Sequence, residues 1–230
     1  MIFKKAILLI HGFAGGTYDL EYLAHRLEVN RQFDVYTFTL AGHDGLFKDN
    51  MKEKDWIKSA QNMIEFLIAN GYKKIYIVGH SMGGVITTIL ATKYKEIKKI
   101  VLLSASFRYL VFENENFNLI KSIVKTKDLV KEYGKEEVIN RLLKMPPSVL
   151  KEFQNIVKNN QDKLNEIQIP SLIIQGNKDN LVPLETAEYI YNKIPTKEKE
   201  IIIYDGVTHD IFKSKNKQDI VENILHFLKK

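Results

Sequence analysis

Residues 75–84 read Ile75-Tyr76-Ile77-Val78-Gly79-His80-Ser81-Met82-Gly83-Gly84. Four apolar residues lead into a glycine, a serine sits two positions on, and a second glycine follows two positions after that. The run Ile75–Val78 is short, β-branched and apolar at every position, as a strand covered on both faces should be. A helical pattern starts near Met82 and Gly83. A serine in G-x-S-x-G between a strand and a helix is held on a sharp, strained turn with its hydroxyl exposed. Side chains at Gly79 and Gly83 would collide across such a turn, which is the steric reason for glycine there. The helix start also aims free N–H groups, and the positive end of its dipole, at any negative charge that develops on a substrate.

A serine hydroxyl is a weak nucleophile until a base removes its proton. Of the six histidines, His209 is the best placed: it follows the last predicted strand, in Asp205-Gly206-Val207-Thr208-His209-Asp210, and precedes the last helix. His11 and His43 sit beside glycines after earlier strands and read as structural or pocket-lining. His80 adjoins the serine and should point elsewhere, while His25 and His226 lie in helical patterns. The base needs a carboxylate to hold its ring and stabilise its charged form. Asp179, in Gly176-Asn177-Lys178-Asp179 after a predicted strand, gives the chain order Ser81, Asp179, His209 expected for a serine on a strand–turn–helix elbow. Asp205 is the rival, at the end of the next strand, and Asp210 should point away from the histidine it adjoins. Two backbone donors are also required for the oxyanion. The N–H of Met82 follows the serine, and the glycine-rich loop His11-Gly12-Phe13-Ala14-Gly15-Gly16 offers the N–H of Phe13. No Lys-Ser/Thr follows those glycines, so a nucleotide-binding loop does not fit.

Outside these blocks, short apolar runs alternate with helical patterns, the signature of a parallel sheet with crossover helices. Strands are predicted at Lys5–Ile10, Asp34–Leu40, Lys74–Gly79, Lys99–Ser104, Ser171–Gln175 and Glu200–Tyr204. Asp55 is the expected cap of a helix carrying Trp56, Ala60, Met63, Ile64, Leu67 and Ile68, which Gly71 should end. Pro183 suits the first turn of a helix carrying Ala187, Ile190 and Ile194, and the last helix should run from about Asn216 to Leu228. Between Ser106 and Pro170 no convincing strand is predicted; helical segments punctuated by Gly134 and Pro146-Pro147 read as a helical cap over the carboxyl ends of the strands. The expected organisation is therefore a core of residues 1–105 and 166–230 with a cap insertion of 106–165.

The bulk numbers narrow the function. There is no cysteine, which excludes disulfides, thiolate nucleophiles and cysteine metal sites. No pair of histidines at i, i+4 suggests a zinc protease, and no metal or cofactor is expected. The net charge is +6, but all the basic residues except Arg26, Arg31, Arg108 and Arg141 are lysines spread along the chain between acids. Nucleic-acid surfaces use arginine forks and clustered runs, so a solvated lysine-rich surface is the reading and no nucleic-acid partner is expected. No apolar run approaches the roughly 18 residues of a membrane span, and neither a signal-peptide core nor its cleavage site is visible, so the cytoplasm is the expected compartment. The oligomeric state stays open.

Residues 6–16, 75–84, 171–183 and 201–210 together resemble the conserved blocks of bacterial carboxylesterases of the monoacylglycerol lipase-like group, which have the α/β-hydrolase fold. The likeness extends over nearly the whole chain and includes a short cap with the acidic-basic stretch Lys131–Lys144; Gly42-His43-Asp44 resembles a Gly-His-Gly turn, with Asp44 as the departure. The resemblance implies a mainly parallel sheet flanked by helices, hydrolysis of short- to medium-chain acyl esters or monoacylglycerols, and no cofactor. Phe107, Tyr109, Leu110, Phe112, Phe117 and Leu119 are then candidate walls of an acyl pocket, although helix cores use the same residues. Thioesterases and carbon–carbon hydrolases share such a triad, and a low-turnover small-molecule receptor on the same fold is the alternative from another class.

Overall fold

The computed structural model describes residues 5–45, 50–108, 112–113, 116–117, 130 and 145–230. Its chain order begins β1 (Lys5–Ile10), α1 (Glu21–Val29), β2 (Asp34–Thr37), α2 (Glu53–Ala69), β3 (Lys74–His80), α3 (Met82–Ala91) and β4 (Ile97–Leu103). Two-residue strands β5 (Phe112–Glu113) and β6 (Asn116–Phe117) pair antiparallel, and α4 (Pro147–Asn159), β7 (Ser171–Gly176), α5 (Glu185–Lys193), β8 (Lys199–Tyr204) and α6 (Lys217–Lys229) follow. The larger sheet has six strands in the order β2-β1-β3-β4-β7-β8, and every pairing in it is parallel.

Strand parity divides the interior into two cores, as the pleat requires. Ala6, Leu8, Ile10, Ile75, Ile77, Ile100, Leu102 and Ile173 face one side, where α2, α3, α4 and α5 pack. Ile7, Leu9, Val78, Val101, Leu103, Leu172 and Ile174 face the other, against α1 and α6. Helix α3 is buried along its length from Met82 to Leu90, so its sequence is apolar on all sides rather than striped. From β1 the chain steps outward to β2 and then returns across β1 to β3. The strand order therefore reverses between β1 and β3, and the loops leaving their carboxyl ends meet there, which is where open parallel sheets place their ligands.

The differences from the sequence reading have local causes. Strand β2 stops at Thr37 instead of continuing to Leu40, because the Leu40 N–H turns away from the sheet to donate to His11 Nε2 at 3.0 Å. Strand β4 starts earlier, at Ile97, and ends at Leu103, where Ser104 takes a φ of +42° and breaks the extended line. Asp55 does not precede its helix. It sits in the first turn, and its carboxylate reaches back to accept the Lys52 N–H at 2.9 Å. The far end of α2 closes as expected at Gly71, φ +86°, with the Tyr72 N–H on the Leu67 carbonyl and the Gly71 N–H on that of Ile68.

Much of the segment 106–165 lies outside the described residues, including Tyr109, Leu110, Leu119, Gly134 and the stretch 131–144. The pair β5–β6 shows that the segment carries a short strand pairing that the sequence reading did not predict. Phe107 is fully buried in the core. Helix α4 closes the segment and docks on the start of α2. Its Glu152 carboxylate accepts the Glu53 N–H at 3.1 Å and pairs with Lys52 at 3.3 Å, an acid at a helix N-terminus where the exposed N–H groups favour it. Among the described residues no helix is long and apolar enough to cross a membrane.

Candidate active site

Ser81 stands between β3 and α3 with φ +54° and ψ −119°, a backbone geometry that costs a non-glycine residue on the order of 1–3 kcal/mol. Close packing holds it there. A Cβ on Gly79 would run into the Gly83 carbonyl, and one on Gly83 would run into the carbonyls of Ile10 and His11. The Ser81 N–H donates to the Leu103 carbonyl at 2.9 Å, and its own carbonyl accepts from Gly84 at 2.9 Å and Ser106 at 3.2 Å. Met82 is the first residue of α3, so its N–H has no acceptor within the helix.

The loop after β1 lies directly against this turn: a Cβ on Gly12 would come within 2.9 Å of Ser81 Cβ. His11 fixes that loop. Its Nδ1 is 2.8 Å from the Gly12 carbonyl, and its Nε2 is the atom that accepts the Leu40 N–H. A carbonyl can only accept and a backbone N–H can only donate, so the ring is neutral with its proton on Nδ1. The Gly12 carbonyl also accepts the Gly15 N–H at 3.3 Å. That carbonyl and the Phe13 N–H belong to one planar trans peptide and point in opposite directions. Anchoring the carbonyl therefore fixes the direction of the Phe13 N–H. The Phe13 ring stacks on Phe153 of α4 with centroids 4.5 Å apart and meets Trp56 edge-on at 5.5 Å. His43 is edge-on to both Phe13 and Trp56, and its Nδ1 is 3.1 Å from the Ala41 carbonyl. Asp44, beside it, is exposed.

The expected acid and base, Asp179 and His209, follow the ends of neighbouring strands β7 and β8. His209 Nδ1 is 2.8 Å from Asp179 Oδ2, with both side chains buried. Asp179 Oδ1 accepts the N–H groups of Leu181 and Val182, each at 2.9 Å. Burial pushes this carboxyl up, but His209 and the two backbone donors outweigh it and hold it below the ordinary carboxylate value. As an anion Asp179 can only accept, so the shared proton sits on His209 Nδ1, which makes Nε2 the basic nitrogen of the ring.

Two amides in this region escaped the sequence reading. Gln175, at the end of β7, donates to Asp179 Oδ2 at 2.9 Å; a glutamine inside a strand buried throughout was the available signal. Asn177 ties the two loops together, accepting the Gly206 N–H at 2.8 Å and donating to Asp205 Oδ1 at 2.7 Å. That contact accounts for Asp205, which is exposed and bonded to Asn177. Asp210 turns from the histidine ring to Lys213, at 2.7 Å. His25 and His226 are exposed on helices. Among the described residues no group of histidine and carboxylate side chains could hold a metal ion.

A parallel sheet with this elbow defines a serine hydrolase of the α/β-hydrolase fold. The chain belongs to the family described as serine aminopeptidase, S33, whose model matches residues 3–216. It is 27% identical to a carboxylesterase of Bacillus subtilis (strain 168), over 98% of this chain and 93% of that protein. It is also 27% identical to a thermostable monoacylglycerol lipase of Bacillus sp. (strain H-257), over 97% and 90%. Among solved structures, the fold matches a chain from work on LipS and LipT, two metagenome-derived lipolytic enzymes, with a TM-score of 0.80 and 22% identity over 99% of this chain and 94% of that one. It matches the Paleococcus ferrophilus monoacylglycerol lipase with a TM-score of 0.73 and 18% identity over 98% and 96%.

Proposed function

We propose that this hydrolase cleaves carboxylic esters of short- to medium-chain acyl groups, monoacylglycerols included, through an acyl-enzyme on Ser81. The observation that carries the reading is the His209 Nδ1 to Asp179 contact of 2.8 Å, joined to a strained Ser81. The similarity to a carboxylesterase and a monoacylglycerol lipase supports esters as the substrate class. In the first half Ser81 Oγ adds to the ester carbonyl carbon while His209 Nε2 takes the hydroxyl proton. The N–H groups of Phe13 and Met82 donate to the carbonyl oxygen as negative charge develops on it, each such donor being worth about 3 kcal/mol. The tetrahedral species collapses, the C–O bond to the alcohol breaks, and His209 returns its proton to the departing oxygen. In the second half water attacks the acyl carbon, giving its proton to His209, and Ser81 leaves with that proton restored.

The test uses the parent and Ser81→Ala with a fluorophosphonate probe and dissolved nitrophenyl and glyceryl esters from acetate to palmitate. The parent should be labelled on Ser81 and hydrolyse the esters, with kcat/KM rising by up to about 0.8 kcal/mol per added CH₂ until the pocket is full. The folded Ser81→Ala protein should neither label nor turn over. Labelling at another serine would remove Ser81 from its role. Turnover of aminoacyl amides with none on any ester would overturn the substrate class.

A further inference from the structure

His80, the last residue of β3, carries a contact that the triad does not require. Its Nε2 lies 3.0 Å from the backbone carbonyl of His209, and the two imidazole rings are tilted with centroids 4.8 Å apart. A carbonyl can only accept, so Nε2 bears the hydrogen. The other ring nitrogen, Nδ1, is buried without a hydrogen-bond partner, and a proton there would have nothing to bond to. The ring is therefore a neutral donor in one tautomer. The charged and titratable groups that face it are His209, Asp19 and Asp210, the last paired with Lys213. Burial holds the ring below the ordinary histidine value, the His209 charge adds to that effect, and the two carboxylates oppose it without reversing it.

The contact matters because His209 belongs to neither a strand nor a helix. Its ring is held by Asp179 from the β7 side. Its backbone carbonyl accepts the Ile211 N–H at 2.9 Å within its own loop. The bond from His80 reaches that carbonyl from β3, the strand that carries the nucleophile. We infer that His80 is a positioning residue: its Nε2–H to the His209 carbonyl sets the base at a fixed offset from Ser81, to which His80 is covalently joined. The inference rests on the triad proposed above. His80 touches neither the reacting atoms nor the substrate in this scheme. It acts by limiting how far His209 can shift, and a displacement near 1 Å can cost on the order of 100-fold in rate.

The test compares His80→Leu, which keeps an apolar filling without a donor, with His80→Gln, whose amide offers a donor on a chain of similar reach. With a dissolved ester, His80→Leu should lower kcat by on the order of 100-fold while KM stays within about twofold, and the fluorophosphonate reaction at Ser81 should slow in parallel. His80→Gln should recover most of the loss. A role in packing alone predicts equal losses in both variants, or a fall in thermal stability with kcat kept; either result overturns the inference. Nitrogen NMR of the histidine-labelled parent tests it without any variant. At pH 8 the His80 signals should report a neutral Nε2–H ring, and an Nδ1–H ring would overturn it. If the parent fails to label at Ser81, the triad falls first. Labelling at Ser81 with full kcat in His80→Leu sinks this inference alone.

Discussion

The two ends of the site are held by different physics. Around Ser81 backbone presses on backbone: Gly79 and Gly83 face each other across the turn, Gly83 lies on the carbonyls of Ile10 and His11, and Gly12 lies on the serine. Around Asp179 and His209 the two loops also touch through backbone, with the Lys178 N–H on the Val207 carbonyl at 3.0 Å and Gly176 against that carbonyl. The carboxylate itself, however, is held by hydrogen bonds, from Gln175 and two backbone N–H groups, while Asn177 bonds across to Gly206. Packing of the first kind fails at a single added methyl, because a carbonyl in the strand beneath cannot move aside. Hydrogen bonding of the second kind is divided among several contacts and should fail by degrees.

The largest expected effect comes from adding that methyl. On an exposed helix Gly→Ala gains up to about 1 kcal/mol. Gly83→Ala should do the opposite, since its Cβ meets the carbonyl oxygens of Ile10 and His11. Denaturant unfolding should show a loss of about 3 kcal/mol or more, with no esterase activity in whatever folds. A variant of unchanged stability would break the comparison at its stronger end.

Next in size is the acid. Asp179→Asn should keep the fold and cut kcat by about 10⁴-fold, the cost of a misoriented histidine in serine proteases. Asp205→Asn should change kcat by no more than a few-fold, because Asp205 is exposed and bonded to Asn177. Kinetics of the two purified variants on one ester settles the ranking, and the reverse order would transfer the role to Asp205.

This division also explains what could be read in the sequence. The elbow was legible because steric exclusion leaves a mark on residue type: only glycine fits at positions 79 and 83. The sheet was legible because β1, β3, β4 and β7 are buried on both faces over most of their length and so carry continuous apolar runs. That Asp179 and His209 meet could be read from their places after strand ends. Gln175 left a signal that was passed over, a polar residue in a fully buried strand, whereas Asn177 could not be picked, since its work depends on β7 and β8 lying side by side, with Gly176 opposite Tyr204. His80 was read as pointing elsewhere because adjacency in sequence says nothing of a carbonyl 129 residues away. The end of β2 was misjudged for a similar reason, its Leu40 N–H being claimed by His11.

The smallest effect separates the two regions by pH. On the elbow side, burial holds His43 down to about 4, with the nearby charge of His11 adding to it; burial likewise lowers His11. An unfolded histidine titrates near 6.5. Between those values the unfolded chain takes up the proton and the folded chain refuses it. Stability from the neutral rings is thus complete above about pH 6.5 and is lost as the pH falls; for His43 the loss stops growing near pH 4. On the acid–base side the sign is the same but the window differs. The carboxyls of Asp179 and Asp210 are held below their ordinary value, by His209 and by Lys213 respectively, despite burial that pushes each up. Their contribution is complete above about pH 3.9 and is lost only as the pH falls through their folded-state values. Urea unfolding from pH 8 to 3 should therefore show a decline beginning near 6.5 and a second one below the ordinary carboxylate value. His43→Gln should flatten the slope between about 6.5 and 4 by at most about 3 kcal/mol in total, while the second decline stays in place. Stability that holds level from pH 8 to 4.5, in the parent as in His43→Gln, would mean that the histidines around the elbow are not kept neutral by the fold.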